Sequence, residues 1–207
     1  MPEFDLDCQG LPCPEPVLRC KQCIEKDEPE GIRVTVDNEA AVQNVSRFLA
    51  AKGYAVAVDA LGSGWLIVGS RGSDAKPCDC EVMGQDEIAA HAAPLARSVT
   101  VFVTADTIGR GDDELGGKLM LNFLATLNEM GDELWRIVLV NGGVKLACAG
   151  HPCLEKLNIL ANRGVSILVC GTCLDFYGLL DKRQVGETTN MLDVVTSLQL
   201  AAKVIQV

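Results

Sequence analysis

Aromatic residues are scarce, at 4% of 207 residues. Any core must therefore be built from Val, Leu, Ile and Ala. Basic charge is also short. Lys plus Arg against Asp plus Glu stand at 7 to 11 in residues 1–72, 2 to 5 in 73–97 and 9 to 12 in 98–207. No segment is basic, which argues against a nucleic-acid partner, since phosphate-backbone binding needs clustered cations. No apolar run reaches the roughly 18 residues needed to span a membrane. The start, Met1 to Asp7, is acidic and lacks the basic and apolar regions of a signal peptide, so the expected location is the cytoplasm. Histidine is limited to His91 and His151, which leaves zinc sites short of nitrogen ligands.

Cysteine, by contrast, occurs ten times. In a reducing compartment that number indicates metal binding, redox work or nucleophilic thiol chemistry rather than a disulfide scaffold. The length suits two domains of about 100 residues each.

The periodicities divide accordingly. Phe4, Leu6 and Cys8 alternate with acidic residues as a strand would, and a helix is expected from Pro14 to about Asp27. Ile32, Val34 and Val36 form a second alternating strand. Asn38 can cap a helix carrying Ala41, Val42, Val45, Phe48 and Leu49, stopped by Gly53. Two further strands, Tyr54–Asp59 and Trp65–Val68, complete a βαβαββ order, a small two-layer α+β domain over residues 1–71. Residues 72–97 show no steady period and read as a linker with a short helix near 87–92. From residue 98 onward, apolar strands at 98–103, 136–140, 165–169 and 204–207 alternate with helices at 113–129, 152–163 and 190–202. On the helix at 113–129 the apolar face is read as Leu115, Leu119, Met120, Phe123, Leu124 and Leu127. The pattern indicates a mostly parallel α/β/α domain over residues 98–207, so the chain as a whole is of the α/β class. In such sheets reactive groups collect at the carboxyl ends of the strands.

Cys13 sits in Gly10-Leu-Pro-Cys-Pro-Glu-Pro16. Pro14 fits the first turn of a helix without losing a hydrogen bond. Cys13 then faces unpaired backbone N–H groups and the positive end of the helix dipole, an environment that favours the nucleophilic thiolate. Cys170 and Cys173 form a Cys-x-x-Cys at the end of an apolar strand. A dithiol redox pair, half of a zinc site, and a persulfide carrier with a resolving partner all fit that spacing. Cys170, which terminates the strand, is favoured over Cys173. Cys20 and Cys23 share one helical face, where helix packing and a resolving or metal-binding role are equally open. Cys8 reads as core. Cys78 and Cys80 fall in the linker, as does His91. The turns Gly109-Arg-Gly-Asp-Asp113 and Asn141-Gly-Gly143 would lie on the same sheet edge as Cys170, with Lys145 close by.

Residues 5–19 and the run Val36-Asp-Asn-Glu-Ala-Ala-Val-Gln-Asn-Val45 resemble the signature of TusA/SirA-type sulfur carriers. The resemblance covers about residues 3–70 and implies that Cys13 accepts sulfur as a persulfide and passes it on. Cys170-Gly-Thr-Cys-Leu-Asp-Phe-Tyr-Gly178 and Val185-Gly-Glu-Thr-Thr-Asn-Met191 resemble DsrE-like sulfurtransferase-related domains. The order of the halves is similar to the YedF-type two-domain group, which is associated with selenium metabolism. Together these resemblances imply a sulfur or selenium relay without a cofactor. They imply a persulfide donor protein, an acceptor protein and a homo-oligomer through residues 98–207. A thiol–disulfide protein using Cys170 and Cys173 and a zinc- or partner-binding adaptor remain as alternatives.

Overall fold

The computed structural model describes residues 3–71 and 98–207. The expected linker at 72–97, its short helix, Cys78, Cys80 and His91 lie outside the described residues.

The first unit runs β1 (Glu3–Asp7), α1 (Glu15–Asp27), β2 (Gly31–Val36), α2 (Glu39–Ala51), β3 (Ala55–Leu61) and β4 (Gly64–Ser70). This is the expected βαβαββ order. The strands form one sheet in the order β1-β2-β4-β3, with β1 parallel to β2 and the other pairs antiparallel. Period-two patterning sends Ile32, Val34 and Val36 into the core while Arg33 and Thr35 face the other way. The buried side meets Val17, Cys20 and Ile24 of α1 and Val45, Phe48 and Leu49 of α2. Asn38 begins α2 by accepting a 2.8 Å hydrogen bond from the Ala41 N–H. Gly53 follows α2 with φ +81, a left-handed conformation that glycine adopts without strain.

The second unit contains β5 (Val99–Val103), α3 (Asp113–Thr126), β6 (Leu134–Leu139), α4 (Leu154–Asn162), β7 (Ser166–Cys170), α5 (Gly171–Phe176), β8 (Glu187–Thr189), α6 (Met191–Leu200) and β9 (Lys203–Gln206). Its sheet is parallel throughout, in the order β8-β7-β6-β5-β9, and flanked by helices. Val101, Val103, Ile137, Val138, Leu139 and Val169 are buried, as near-continuous apolar strands in a two-sided sheet should be.

Three features differ from the periodicity. β8 is a polar strand of three residues, too short to show alternation, and α5 is a single short helix where the pattern gave only the end of a strand. On α3, Met120, Leu124 and the following Leu127 are buried, while Leu115 and Leu119 are exposed at 56% and 44%. The six apolar residues sweep about 180° of the helix at roughly 100° per residue, and only part of that arc meets the core.

Candidate functional site

In the first unit the chain leaves β1 through Cys8, whose N–H donates to the Thr35 carbonyl at 2.8 Å, and turns toward α1. An aspartate fixes this turn. The Gly10 N–H donates to Asp37 Oδ2 at 2.6 Å, and the Asn38 amide donates to Asp37 Oδ1 at 3.0 Å. Those two donors, the Gly10 N–H first, hold the Asp37 carboxyl below the usual carboxylate range. Pro14 is the N-cap of α1, so Cys13 stands beside the helix start, where the sequence places it, and its side chain is exposed. The turn is closed by Glu15 N–H to the Pro12 carbonyl at 2.9 Å and Leu18 N–H to the Pro14 carbonyl at 3.1 Å.

Cys8, Cys20 and Cys23 are buried in the core of the same unit. Burial pushes the Cys20 thiol up to about 12, with the neighbouring Cys8 and Cys23 adding to the rise. Burial likewise raises Cys8 and Cys23. These are packing thiols, buried where Cys13 is exposed.

The second unit gathers its polar side chains at the carboxyl ends of β5, β6 and β7. Cys170 closes β7, is 3% exposed, and forms the N-cap of α5. Cys173 lies three residues on, one helical turn away and half-buried. The Cys170 thiol hydrogen-bonds the Cys173 sulfur, and the Asn141 N–H donates to Cys173 Sγ at 3.1 Å. The Cys170 hydrogen bond is the largest influence. With the Asn141 N–H it outweighs partial burial and brings the Cys173 thiol down to about 6. Near neutral pH that sulfur is a thiolate. Cys148 and Cys153, buried below the same edge, are raised by burial.

Asn141 follows β6 and has φ 47, an uncommon conformation for a residue with a side chain. The Tyr177 hydroxyl donates to its Oδ1 at 2.9 Å. Two residues on, a Cβ at Gly143 would stand 2.7 Å from the Val103 carbonyl oxygen, so only glycine lets this turn lie against the end of β5. Lys145 Nζ pairs with Asp106 Oδ2 at 3.0 Å and lies 5.3 Å from the centre of the Tyr177 ring. The hydrogen bond to Asp106, outweighing burial, raises the Lys145 ammonium. His151 is lowered by burial, with the Asp106 charge partly opposing and Lys145 assisting. Phe176, 82% exposed, packs edge-on against Tyr177 at the rim.

The Asn141 turn therefore lies on the same edge as the Cys-x-x-Cys, as the parallel sheet requires, and its backbone touches the thiol. The Gly109–Asp113 turn serves the helix instead: Asp112 caps α3 through the Leu115 N–H at 2.8 Å. Lys145 points to Asp106. Asp106 and Tyr177 were not singled out by residue pattern, although Tyr177 lies within the motif around Cys170. Among the described residues no three His, Cys, Asp or Glu side chains converge as a metal centre needs, and no helix is long and apolar enough to cross a membrane.

The family described as DsrE/DsrF-like matches residues 99–207, just over half of the chain. The chain belongs to the DsrE/DsrF-like family. The family described as Sulfurtransferase TusA matches residues 4–70, so a TusA domain precedes the DsrE-like one. Together the two families indicate a sulfur-relay, sulfurtransferase-like role, which implies protein partners for the transfer. Among solved structures, a SirA-like protein from Desulfitobacterium hafniense is 25% identical over 34% of this chain and 99% of its own, with a TM-score of 0.31. The ychN protein from E. coli is 20% identical over 53% of this chain and 99% of its own, with a TM-score of 0.43. No curated protein matches the chain.

Proposed function

We propose that this DsrE-family chain is a cytoplasmic relay for sulfane sulfur or selenium, with Cys13 as its first station and Cys173 as its second. The observation that carries the reading is the exposed Cys13 beside the start of α1, inside the TusA match. The Cys13 thiolate attacks the outer sulfur of a donor persulfide. The donor's S–S bond breaks, its thiolate leaves, and Cys13 becomes the persulfide with no net oxidation. The same exchange then moves the outer atom to an acceptor thiol. No cofactor is needed for either step.

Cys173 suits the acceptor role better than Cys170. It is the half-buried sulfur, and two hydrogen bonds reach it and bring its thiol down to about 6. A separate acceptor protein remains the other outlet. A homo-oligomer through residues 98–207 belongs to the same reading, supported by Leu115 and Leu119, which a single copy leaves exposed on α3.

Incubation with a low-molecular-weight persulfide, followed by intact mass and peptide mapping, tests the first station. One added sulfur on the peptide carrying residue 13 is expected, absent in Cys13→Ser. An undiminished adduct in that variant, or none in the wild type, overturns the assignment.

A further inference from the structure

Cys170 has no task in the relay as described, yet it hydrogen-bonds the sulfur of the second station. It ends β7, caps α5, is buried, and hydrogen-bonds the Cys173 sulfur from one helical turn away. A Cys-x-x-Cys spanning the first turn of a helix brings two sulfurs within reach of a disulfide without displacing the backbone elements. Neither residue is in a disulfide in this structure. The Asn141 N–H, 3.1 Å from Cys173 Sγ, marks a site already furnished with a donor for anionic sulfur.

We propose that Cys170 is the resolving thiol of the second station, converting a persulfide on Cys173 into a Cys170–Cys173 disulfide and releasing the cargo as hydrosulfide or hydroselenide. The inference rests on the reading of Cys173 as a carrier. Cys170 sulfur attacks the inner sulfur of Cys173–S–S⁻, the bond between the inner and outer sulfur breaks, and a Cys170–Cys173 bond forms. The proton of Cys170 goes to the departing atom, which leaves as HS⁻. One S–S bond replaces another, the outer sulfur is reduced, and the two cysteines are oxidised, so no outside oxidant enters. A dithiol reductant then restores the pair by ordinary exchange. The DsrE-like domain is on this account a release station for the reduced element as well as a carrier, and its cargo is the sulfane atom of a persulfide.

The test loads the full chain with glutathione persulfide under anaerobic conditions, removes the excess, blocks thiols with iodoacetamide and digests with trypsin. Cleavage after Arg163 and Lys182 places Cys170 and Cys173 on one peptide that holds no other cysteine. In the wild type this peptide is expected to lose about 2 Da by disulfide formation, with one sulfide released per chain, while unloaded protein stays reduced. In Cys170→Ser, and in Cys170→Ala as a second variant against misfolding, the same peptide keeps a gain of about 32 Da and sulfide release falls to background. A wild-type peptide that keeps the added sulfur and releases no sulfide, as the variants do, overturns the resolving role alone. A peptide that gains no sulfur in either variant overturns Cys173 as a carrier, and the resolving step with it.

Discussion

At the residue scale, position rather than residue type separates the cysteines. Cys20 is a helix-face residue pressed into an apolar core, and it is pushed up to about 12. Cys173 is also on a helix, but two donors reach its sulfur and bring it down to about 6. Alkylation of the 164–182 peptide against pH is therefore expected to rise with a midpoint near 6. The Tyr177 side chain reaches that sulfur's surroundings through Asn141, whose Oδ1 accepts from its hydroxyl at 2.9 Å. Tyr177→Phe is expected to move the alkylation midpoint upward by up to about one unit, the size of a weakened charge-assisted hydrogen bond. An unchanged midpoint would limit Tyr177 to packing. The lowered value also couples to stability. A thiol whose folded pKa is depressed contributes stability that is complete above its unfolded value and lost as pH falls through the folded one. The difference in denaturation midpoint between wild type and Cys173→Ser should thus shrink from pH 9 toward pH 6.

At the element scale, the Cys13 turn depends on what α2 and its approach provide. Asn38 caps α2 through the Ala41 N–H, and Asp37 before it holds the Gly10 N–H. Asn38→Ala is expected to cost about 1 kcal/mol in urea denaturation by loss of the cap. Asp37→Ala should leave α2 in place and raise amide exchange across residues 9–13. Asp37 is depressed in the folded state, so its contribution is present at neutral pH and fades as pH falls through that lowered value. Carboxylate and cap thus divide the work between a turn that presents a thiol and a helix that supports it. In the second unit the Gly143 approach to Val103 does the equivalent, seating the Asn141 turn against β5.

At the scale of the whole molecule, two separate sheets carry two thiol sites of different design. The first is an exposed cysteine on a braced turn. The second is a recessed pair at the carboxyl edge of a parallel sheet, rimmed by Tyr177 and the Lys145–Asp106 pair. Leu115 and Leu119 lie on one outward stretch of α3, four residues apart. If copies associate there, Leu119→Asp is expected to lower the mass measured by light scattering while leaving the circular dichroism unchanged. An unaltered mass would move the association surface elsewhere.

Local chemistry determined much of this. Period-two and helical patterns are properties of the chain, so the βαβαββ order, the parallel second sheet and the place of Cys13 beside a helix start were legible in the residues. Helix-capping residues such as Asn38 carry their role in their side chains and were equally readable. Tertiary structure decided what depends on neighbours distant in sequence. The preference for Cys170 followed from its place at the strand end. The Asn141 N–H that bonds Cys173 comes from a turn 32 residues away, and no pattern within Cys170–Cys173 announces it. β8 is too short and polar for periodicity to reveal, and Leu115 and Leu119 of the α3 stripe are apolar without being core. A thiol's environment is a sum over everything packed around it, and that sum exists only once the chain has folded.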